Sequence, residues 1–370
     1  MRRAIELAAR NMALAHPNPR VGAIVVRGHQ KVGEGFHEYD RCDHAEIVAL
    51  RQAGEKARGA TLYVTLEPCC TSGRTGPCTQ AIIQAGIARV VSATEDPNPA
   101  VAGRGFERLR LAGIEVLNGI GEQQARELNE DFAKWIGTKL PFVTLKSALT
   151  LDGRISRRSG KPTAITGEAA REAVQQLRHC ADALLTGIGT VLADDPLLTD
   201  RTGKPRRRKL LRVVLDSRLR LPLKSRLVRS AEGDLVVFTS ESRETAKARA
   251  LTRAGVEIVR TRKRGRRGRV CLDSAMAELG RREILHLLVE AGAELNGAVL
   301  AMDMVDKLVL FYSPQLIGTG GVPFARAPEG KPIRRVPALQ NVTVRKVGED
   351  LAVQGYLHDV YGNHRSHRKD

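Results

Sequence analysis

The chain has 370 residues, which is long enough for two domains. Its composition, 42% hydrophobic and 27% charged residues, is ordinary for a globular protein. No apolar run reaches the roughly 18 residues that cross a bilayer, so we expect no membrane-spanning helix and no membrane partner. The net charge of +19 is concentrated in residues 201–270, which carry 23 Lys and Arg against 6 Asp and Glu. We expect a solvated basic surface there, and an RNA-binding or anionic-substrate surface is the alternative.

The first part of the chain alternates between helical and strand-like patterns. Its basic start has apolar residues at helical spacing, interrupted by Glu6 and Asn11, which favours an amphipathic helix of a cytoplasmic protein over a signal peptide. Strands are predicted at 21–26, 60–66 and 88–94, and helices at 44–54 and 79–86. This order predicts an α/β domain with helices packed on the faces of a sheet.

A second series of elements begins near Pro141. A helix is predicted at 167–180, and strands at 141–149, 181–190, 211–216, 234–240, 256–261, 283–290 and 306–313. The basic runs at 204–209 and 260–269 are expected to be loops between strands. We therefore expect one domain over residues 1–140, a second over 141–360, and a polar tail at 361–370.

Three of the six cysteines lie within ten residues of one another. The six are Cys42, Cys69, Cys70, Cys78, Cys180 and Cys271. A chain of this length rarely needs disulfides, so the cluster favours metal binding.

The metal-binding pattern is His44-Ala45-Glu46, followed by Pro68-Cys69 and Pro77-Cys78. One imidazole and two thiolates hold a tetrahedral zinc ion and leave a position for water, whose pKa the metal lowers. Glu46 follows the first ligand closely and is predicted to carry protons between that water and a departing ammonia. This pattern is typical of zinc-dependent nucleobase deaminases. A structural zinc site, or three unrelated buried cysteines, are the alternatives, and Cys70 is a competing ligand.

The second half gives weaker signals. Glu290 and Gly292 lie where a predicted strand leads into a helix, and backbone N–H groups at such a point suit a phosphate, although glycine-rich helix starts are common. Asp194 and Asp195 precede Pro196, where a capped turn is the alternative to a binding site.

The stretches HPNPRVGAIVV (16–26), GATLYVTLEPC (59–69), GRTGPC (73–78) and LLTGIGTVLADDPLLTDR (184–201) resemble the RibD family of bifunctional riboflavin-biosynthesis enzymes. The similarity extends from residue 1 to about residue 320. It implies a cytidine-deaminase-like three-layer domain followed by a dihydrofolate-reductase-like domain. It also implies one Zn²⁺ per chain, NADPH, and a homo-oligomer. The implied reactions are deamination of a diaminopyrimidinone ribosyl phosphate and reduction of its ribose to a ribityl chain.

The resemblance also implies residue roles. In the first domain these are the zinc ligands His44, Cys69 and Cys78, the proton shuttle Glu46, and the substrate contacts Asn18, His37 and Arg74. In the second domain the implied substrate contacts are Arg178, Leu198, Arg201 and Glu290. The implied NADPH contacts are Ala148, Thr190, Asp194, Ser217, Gly292, Ala293, Glu294, Leu295, Asn296, Gly297 and Ala298. Guanidinium groups suit a sugar phosphate because they remain charged and bind phosphate through two nitrogens.

The sequence departs from the family pattern at several positions. Val48 stands where a histidine is usual, and Cys70-Thr71-Ser72 replaces a Ser-His-His sequence. In the second domain Pro162 and Ala164 replace a serine and a tryptophan. The substitutions in the second domain leave a deaminase joined to an inactive reductase as one alternative function. The zinc pattern and the basic 201–270 segment leave a second alternative, a tRNA-type deaminase that binds RNA through this segment.

Overall fold

The computed structural model describes residues 1–10, 12–160, 164–265, 268–327 and 338–362. Their contacts divide them into two units. The first unit contains Met1–Lys139, the short stretch Pro205–Arg207 and the described residues from Val360 onward, and the second contains Leu140–Lys204 and Arg208–Asp359. Most of the predicted polar tail, from residue 363 on, lies outside the described residues.

The first unit is a mixed sheet with helices. Its strands are β1 (Gly22–Arg27), β2 (Gln30–Phe36), β3 (Thr61–Val64), β4 (Arg89–Ser92) and β5 (Glu115–Asn118). Its helices are α1 (Arg2–Arg10), α2 (Ala45–Ala53), α3 (Cys78–Gln84), α4 (Arg104–Leu111), α5 (Glu122–Leu128) and α6 (Glu130–Thr138). The strand order is β2-β1-β3-β4-β5. β1 runs antiparallel to β2 and β3, whereas β3, β4 and β5 are parallel.

Helix α2 lies against β2 at a distance that only glycine permits. A Cβ on Gly35 would be 2.4 Å from the carbonyl oxygen of Ala45, and a Cβ on Gly33 would be 2.1 Å from that of Ala49. Ala45 and Ala49 are themselves fully buried. Small residues on both elements therefore let the helix backbone contact the strand, and this contact fixes where the first turn of α2 lies.

The second unit is a nine-stranded sheet flanked by helices and two small strand pairs. Its strands are β6 (Phe142–Thr150), β7 (Arg154–Ser156), β8 (Ala183–Gly187), β9 (Leu211–Leu215), β10 (Leu235–Thr239), β11 (Val256–Arg260), β12 (Lys263–Arg264), β13 (Arg269–Val270), β14 (His286–Glu290), β15 (Lys307–Ser313), β16 (Val322–Pro323), β17 (Gln340–Val347) and β18 (Asp350–Tyr356). Its helices are α7 (Glu168–Cys180), α8 (Ile188–Asp194), α9 (Arg226–Arg229), α10 (Ala246–Arg253), α11 (Leu272–Arg281) and α12 (Ala293–Ala301).

The order of the large sheet is β11-β10-β9-β8-β14-β6-β15-β18-β17. The seven strands from β11 to β15 are parallel, and β18 and β17 complete the sheet as an antiparallel pair. Apolar side chains of the central strands are fully buried because helices cover both faces of a parallel sheet.

The α/β architecture predicted for both halves is confirmed. Two predictions in the second half were wrong in detail. The strand predicted at 181–190 ends at Gly187, because Ile188 begins α8. The basic run at 260–269 is not simply a loop, because β12 pairs with β13 inside it. Among the described residues, no helix is long and apolar enough to cross a membrane.

The substitution Gly35→Ala tests the close contact between α2 and β2. The added methyl group would meet the carbonyl oxygen of Ala45, so we expect the free energy of unfolding to fall by about 1–3 kcal/mol. Urea unfolding measures this change. Gly73→Ala is the control, since a Cβ there meets no atom within 4 Å. Equal stability of the two variants would contradict the prediction.

Candidate zinc-deaminase and reductase sites

Three elements of the first unit converge on one cluster of metal-binding atoms. His44 immediately precedes α2, Cys69 lies in the connection after β3, and Cys78 is the first residue of α3. Their ligand atoms all lie within 4.8 Å of one another. His44 Nδ1 is 3.1 Å from Cys78 Sγ and 3.5 Å from Cys69 Sγ. Ligand atoms around a tetrahedral zinc are about 3.5–3.8 Å apart, so the donor set fits that ion.

The protonation of the two thiols also fits a bound cation. A hydrogen bond with Cys78 lowers the pKa of Cys69, and the backbone N–H of Cys78 donates to Cys69 Sγ at 3.3 Å. These contacts favour the thiolate of Cys69, the form that binds metals. The same hydrogen bond and burial raise the pKa of Cys78. In the absence of a metal the two sulfurs therefore share one proton, and a bound dication would take the place of that proton.

Cys70 stands apart from this cluster. Of the described residues, only His44, Cys69 and Cys78 form a group of three such ligands. The backbone carbonyl of Cys70 instead accepts a hydrogen bond from Arg108 Nη1 at 2.9 Å. The geometry therefore favours the predicted ligand set over one that includes Cys70.

Glu46 lies in the first turn of α2, two residues after His44. Its side chain is buried, with only 3% of the residue exposed. Burial raises the pKa of this carboxyl group, and the nearby His44 acts in the opposite direction. A carboxyl group whose pKa is raised by burial accepts a proton more readily than an exposed one, which suits a proton shuttle.

Asn18 and His37 form a hydrogen-bonded pair beside the metal ligands. Asn18 Nδ2 is 3.0 Å from His37 Nε2, and His37 Nδ1 is 2.9 Å from the carbonyl oxygen of Asp43. A carbonyl can only accept, so Nδ1 carries the proton and Nε2 accepts from the amide of Asn18. Burial lowers the pKa of His37, which is therefore neutral at pH 7. Its ring meets that of His44 edge-on, with centroids 5.3 Å apart.

Arg74 places an exposed positive charge near this pair. Its guanidinium carbon lies 4.3 Å from the ring centre of Tyr39, and its Nη1 donates to the carbonyl oxygen of Tyr39 at 3.1 Å. Its Nη2 is 3.0 Å from Cys42 Sγ. The charge of Arg74 contributes to the lowered pKa of His37, so the two side chains share one electrostatic environment.

Glu67 was not predicted from the sequence, although it supports the loop that carries Cys69. Its buried carboxylate accepts four backbone N–H groups, from Asp96 (3.2 Å), Gly103 (2.9 Å), Gly105 (2.8 Å) and Phe106 (3.2 Å). These bonds fix the end of β3 relative to the start of α4. One sequence signal could have indicated this role: Glu67 is an acidic residue between a strand predicted to be buried and Pro68, and a buried acid needs hydrogen-bond partners.

A buried ion pair supports the segment that carries Asn18, and it was also missed. Arg20 donates from Nη1 and Nη2 to the two carboxylate oxygens of Asp131, at 2.9 and 2.8 Å. The side chain of Asn129 bonds to both the N–H and the carbonyl of Arg20, at 2.7 and 3.0 Å. All three residues are buried. The start of α6 therefore holds residue 20 by both its backbone and its side chain.

The second unit contains a cavity of about 650 Å³ near the carboxyl ends of β8 and β14. Inside it, Glu290 accepts hydrogen bonds from Arg178 Nε at 2.7 Å and Arg178 Nη2 at 3.0 Å, and Lys146 Nζ lies 3.6 Å away. Although burial opposes ionisation, Lys146 and Arg178 hold the pKa of Glu290 below its usual value. The cavity therefore combines one carboxylate with two cations, a suitable environment for a hydroxylated sugar phosphate.

Most of the residues predicted for the second domain line this cavity or its neighbour. Those lining the first are Ala148, Arg178, Thr190, Asp194, Leu198, Glu290, Gly292, Ala293, Glu294 and Leu295. Ser217 and Ala298 line an adjoining cavity of about 460 Å³, which also includes Glu294 and Leu295. Gly292 directly precedes α12, as predicted, so the free N–H groups of that helix start lie at the cavity wall.

Three predicted residues line neither cavity. Arg201 is exposed, and its backbone N–H donates to Gln175 at 2.9 Å. Asn296 is fully buried and donates to the carbonyl of Phe324 at 2.8 Å. A Cβ on Gly297 would be 1.7 Å from the carbonyl oxygen of Arg326. Asn296 and Gly297 therefore pack α12 against the segment at residues 324–326.

Comparison with known proteins decides the family. Residues 1–94 match the model of the cytidine and deoxycytidylate deaminase zinc-binding region, and residues 141–353 match that of the RibD C-terminal domain. The riboflavin biosynthesis protein RibD of Aquifex aeolicus (strain VF5) is 42% identical over 356 residues, covering 95% of this chain and 96% of the relative. The chain belongs to the RibD family.

Solved structures of the RibD family have the same fold over nearly the whole chain. Acinetobacter baumannii RibD (form 1) is 38% identical with a TM-score of 0.84, and covers 96% of this chain and 97% of its own. The diaminohydroxyphosphoribosylaminopyrimidine deaminase/5-amino-6-(5-phosphoribosylamino)uracil reductase of Thermotoga maritima is 37% identical with a TM-score of 0.82, at the same coverage. The predicted cytidine-deaminase-like and dihydrofolate-reductase-like domains are thus confirmed.

Family membership also confirms the predicted class of enzyme. The chain is a zinc-dependent aminohydrolase joined to an NADPH-dependent oxidoreductase of riboflavin biosynthesis, and it acts on a small pyrimidine.

Among the positions that depart from the RibD pattern, Thr71 and Ser72 are exposed and Val48 is half-buried. Ala164 is exposed, and Pro162 lies outside the described residues.

Serine substitutions at Cys69 and Cys70 test the ligand set. Cys69→Ser removes a thiolate from the cluster, so we expect bound zinc and ammonia release to be lost. Cys70→Ser should retain about one zinc per chain, because Cys70 is not part of the cluster. Elemental analysis of the purified variants measures the zinc. Equal zinc loss in the two variants would refute this ligand set.

Proposed function

We propose that this RibD enzyme deaminates diaminohydroxyphosphoribosylaminopyrimidine and reduces 5-amino-6-(5-phosphoribosylamino)uracil, the two reactions for which the Thermotoga maritima protein is named. Residues 1–140 carry out the first reaction and residues 141–360 the second. The observation that supports this most directly is the buried Glu46 beside the cluster of His44, Cys69 and Cys78. The sugar-phosphate environment around Glu290 supports the second reaction.

In the deaminase site, His44, Cys69 and Cys78 hold the zinc, which supplies an activated water when bound. Glu46 would accept a proton from the attacking water and pass it to the amino nitrogen of the substrate. The water oxygen would thereby replace the amino group on the ring carbon, and ammonia would leave as the carbon–nitrogen bond breaks. Burial raises the pKa of Glu46, which favours its taking up the proton in the first of these transfers.

Asn18, His37 and Arg74 position the substrate in this site. The neutral His37 and the amide of Asn18 offer hydrogen-bonding groups beside the metal ligands. Arg74, exposed at the rim, attracts the phosphate through its positive charge. The three side chains thereby bind the two ends of a pyrimidine ribosyl phosphate, while the chemistry takes place at Glu46.

In the reductase site, NADPH supplies the hydride when bound, and the protein holds both reactants. Ala148, Thr190, Asp194, Ser217, Gly292–Leu295 and Ala298 would contact the cofactor, and the N–H groups at the start of α12 would bind one of its phosphates. Arg178, Leu198 and Glu290 would contact the sugar phosphate. The packing of Asn296 and Gly297 and the exposed position of Arg201 leave these three residues outside both cavities. A homo-oligomeric state and a cytoplasmic location remain predictions from the resemblance and the sequence.

The proposal is tested by giving the zinc-loaded enzyme the diaminopyrimidine substrate and NADPH, and following ammonia and cofactor absorbance together. We expect ammonia release followed by NADPH oxidation. Glu46→Gln keeps the shape of the side chain but cannot carry a proton, so ammonia release should fall by about 10²–10⁴-fold while zinc remains bound. Oxidation of NADPH by this variant on the deaminated substrate is the internal control. Normal ammonia release from the variant would refute the proposed shuttle.

Arg178→Lys tests the sugar-phosphate site. Lysine keeps the charge but cannot make the paired hydrogen bonds to Glu290, so we expect the reductase KM for the deaminated substrate to rise by about tenfold. Steady-state NADPH oxidation measures the KM. Arg171→Lys, an exposed position on the same helix, is the matched control. If the KM is unchanged in both variants, Arg178 does not contribute to substrate binding.

A further inference from the structure

The stretch Pro205–Arg207 belongs by its contacts to the first unit, although the residues on either side of it in sequence belong to the second. The basic residues that follow pair with acids of the second unit, Arg208 with Glu283 and Lys209 with Glu232. Arg207 differs from them, because its side chain is only 18% exposed and its partners belong to the deaminase unit.

Arg207 makes three hydrogen bonds to two segments of the deaminase unit. Its backbone N–H donates to the carbonyl of Ala13 at 3.0 Å, and its Nη1 donates to the carbonyl of His16 at 3.1 Å. Its Nε donates to Asp40 Oδ1 at 2.9 Å. One side chain thus connects the segment at residues 13–16 with the turn at residues 39–40.

Arg207 and Arg74 contact the same aromatic ring. The guanidinium carbon of Arg207 lies 3.8 Å from the ring centre of Tyr39, and that of Arg74 lies 4.3 Å from it. Arg74 also donates to the backbone carbonyl of Tyr39. A guanidinium stacked on an aromatic ring is held in one orientation, so Tyr39 transmits the position of Arg207 to Arg74.

The two segments joined by Arg207 carry the proposed substrate contacts. Asn18 follows His16 by two residues, and His37 precedes Tyr39 by two residues. We infer that Arg207 is a positioning residue of the deaminase site, which fixes Asn18, His37 and Arg74 for binding the pyrimidine ribosyl phosphate. The inference rests on the substrate roles proposed above for those three residues. It also assigns a role to one member of the basic 201–270 segment.

This role depends on the shape of arginine as well as on its charge. Two of the three guanidinium nitrogens donate to protein acceptors, and the flat face of the group lies over Tyr39. A lysine has the same charge but is unable to span both acceptors while stacking on the ring. A residue that acts only through its charge would tolerate this replacement.

The test uses the full-length, zinc-loaded enzyme with Arg207→Ala, Arg207→Lys and the neighbouring control Arg208→Ala. We expect Arg207→Ala to raise the deaminase KM by about tenfold with kcat changed by no more than about twofold, because the zinc ligands and Glu46 are untouched. Arg207→Lys should recover only part of this loss. Arg208→Ala should leave the deaminase KM unchanged. Zinc content and the reductase KM should be unchanged in all three.

A double-mutant cycle with Arg74→Ala tests the coupling through Tyr39. If Arg207 acts partly through Tyr39 and Arg74, the double variant should raise KM by less than the product of the two single effects, because the interactions are not independent. An unchanged KM in Arg207→Ala, full recovery by lysine, loss of zinc, or fully additive effects would each overturn the inference. If Arg74→Ala and Asn18→Ala leave the KM unchanged, the proposed substrate roles fail instead, and the inference fails with them.

Discussion

The deaminase site depends on the contact between α2 and β2. Because Gly33 and Gly35 have no side chains, the backbone of α2 lies directly against the strand. A helix held in this way has a fixed starting point, and that starting point presents both a metal ligand and the acid two residues later. The distance between His44 and Glu46 is thus set by helix geometry, whereas their position relative to the two cysteines is set by the packing of α2 on the sheet.

Buried charges hold the remaining parts of the deaminase site. Cys69 and Asn18 lie on irregular segments, which cannot be fixed by regular hydrogen-bond ladders. Glu67 replaces such a ladder with four hydrogen bonds from backbone N–H groups. The ion pair of Arg20 and Asp131 holds the segment before β1 by side-chain hydrogen bonds instead. Leaving any of these buried groups unpaired would be costly, so each one selects a single loop conformation.

The sequence predicted well what is encoded locally. The α2 helix ends where Gly54 takes a positive φ, and the three metal ligands stand in the recognisable order His-Ala-Glu, Pro-Cys and Pro-Cys. β2 was not predicted, because Gly33 and Gly35 weaken the strand pattern locally and are explained only by the close packing of α2 on them. The contacts of Glu67, Asp131 and Arg207 were missed for a different reason. Each joins residues far apart in the sequence, and no local pattern specifies the partner.

The first unit is assembled from separate stretches of chain, and this affects the order in which it can form. A ribosome delivers Met1–Lys139 first, then Leu140–Lys204, and only afterwards Arg207. Domains tend to fold as they emerge, so the sheet and the metal ligands are available well before the Arg207 contacts with Tyr39 and His16. A nascent chain arrested between the two units would therefore carry the metal ligands and Glu46 while lacking those contacts.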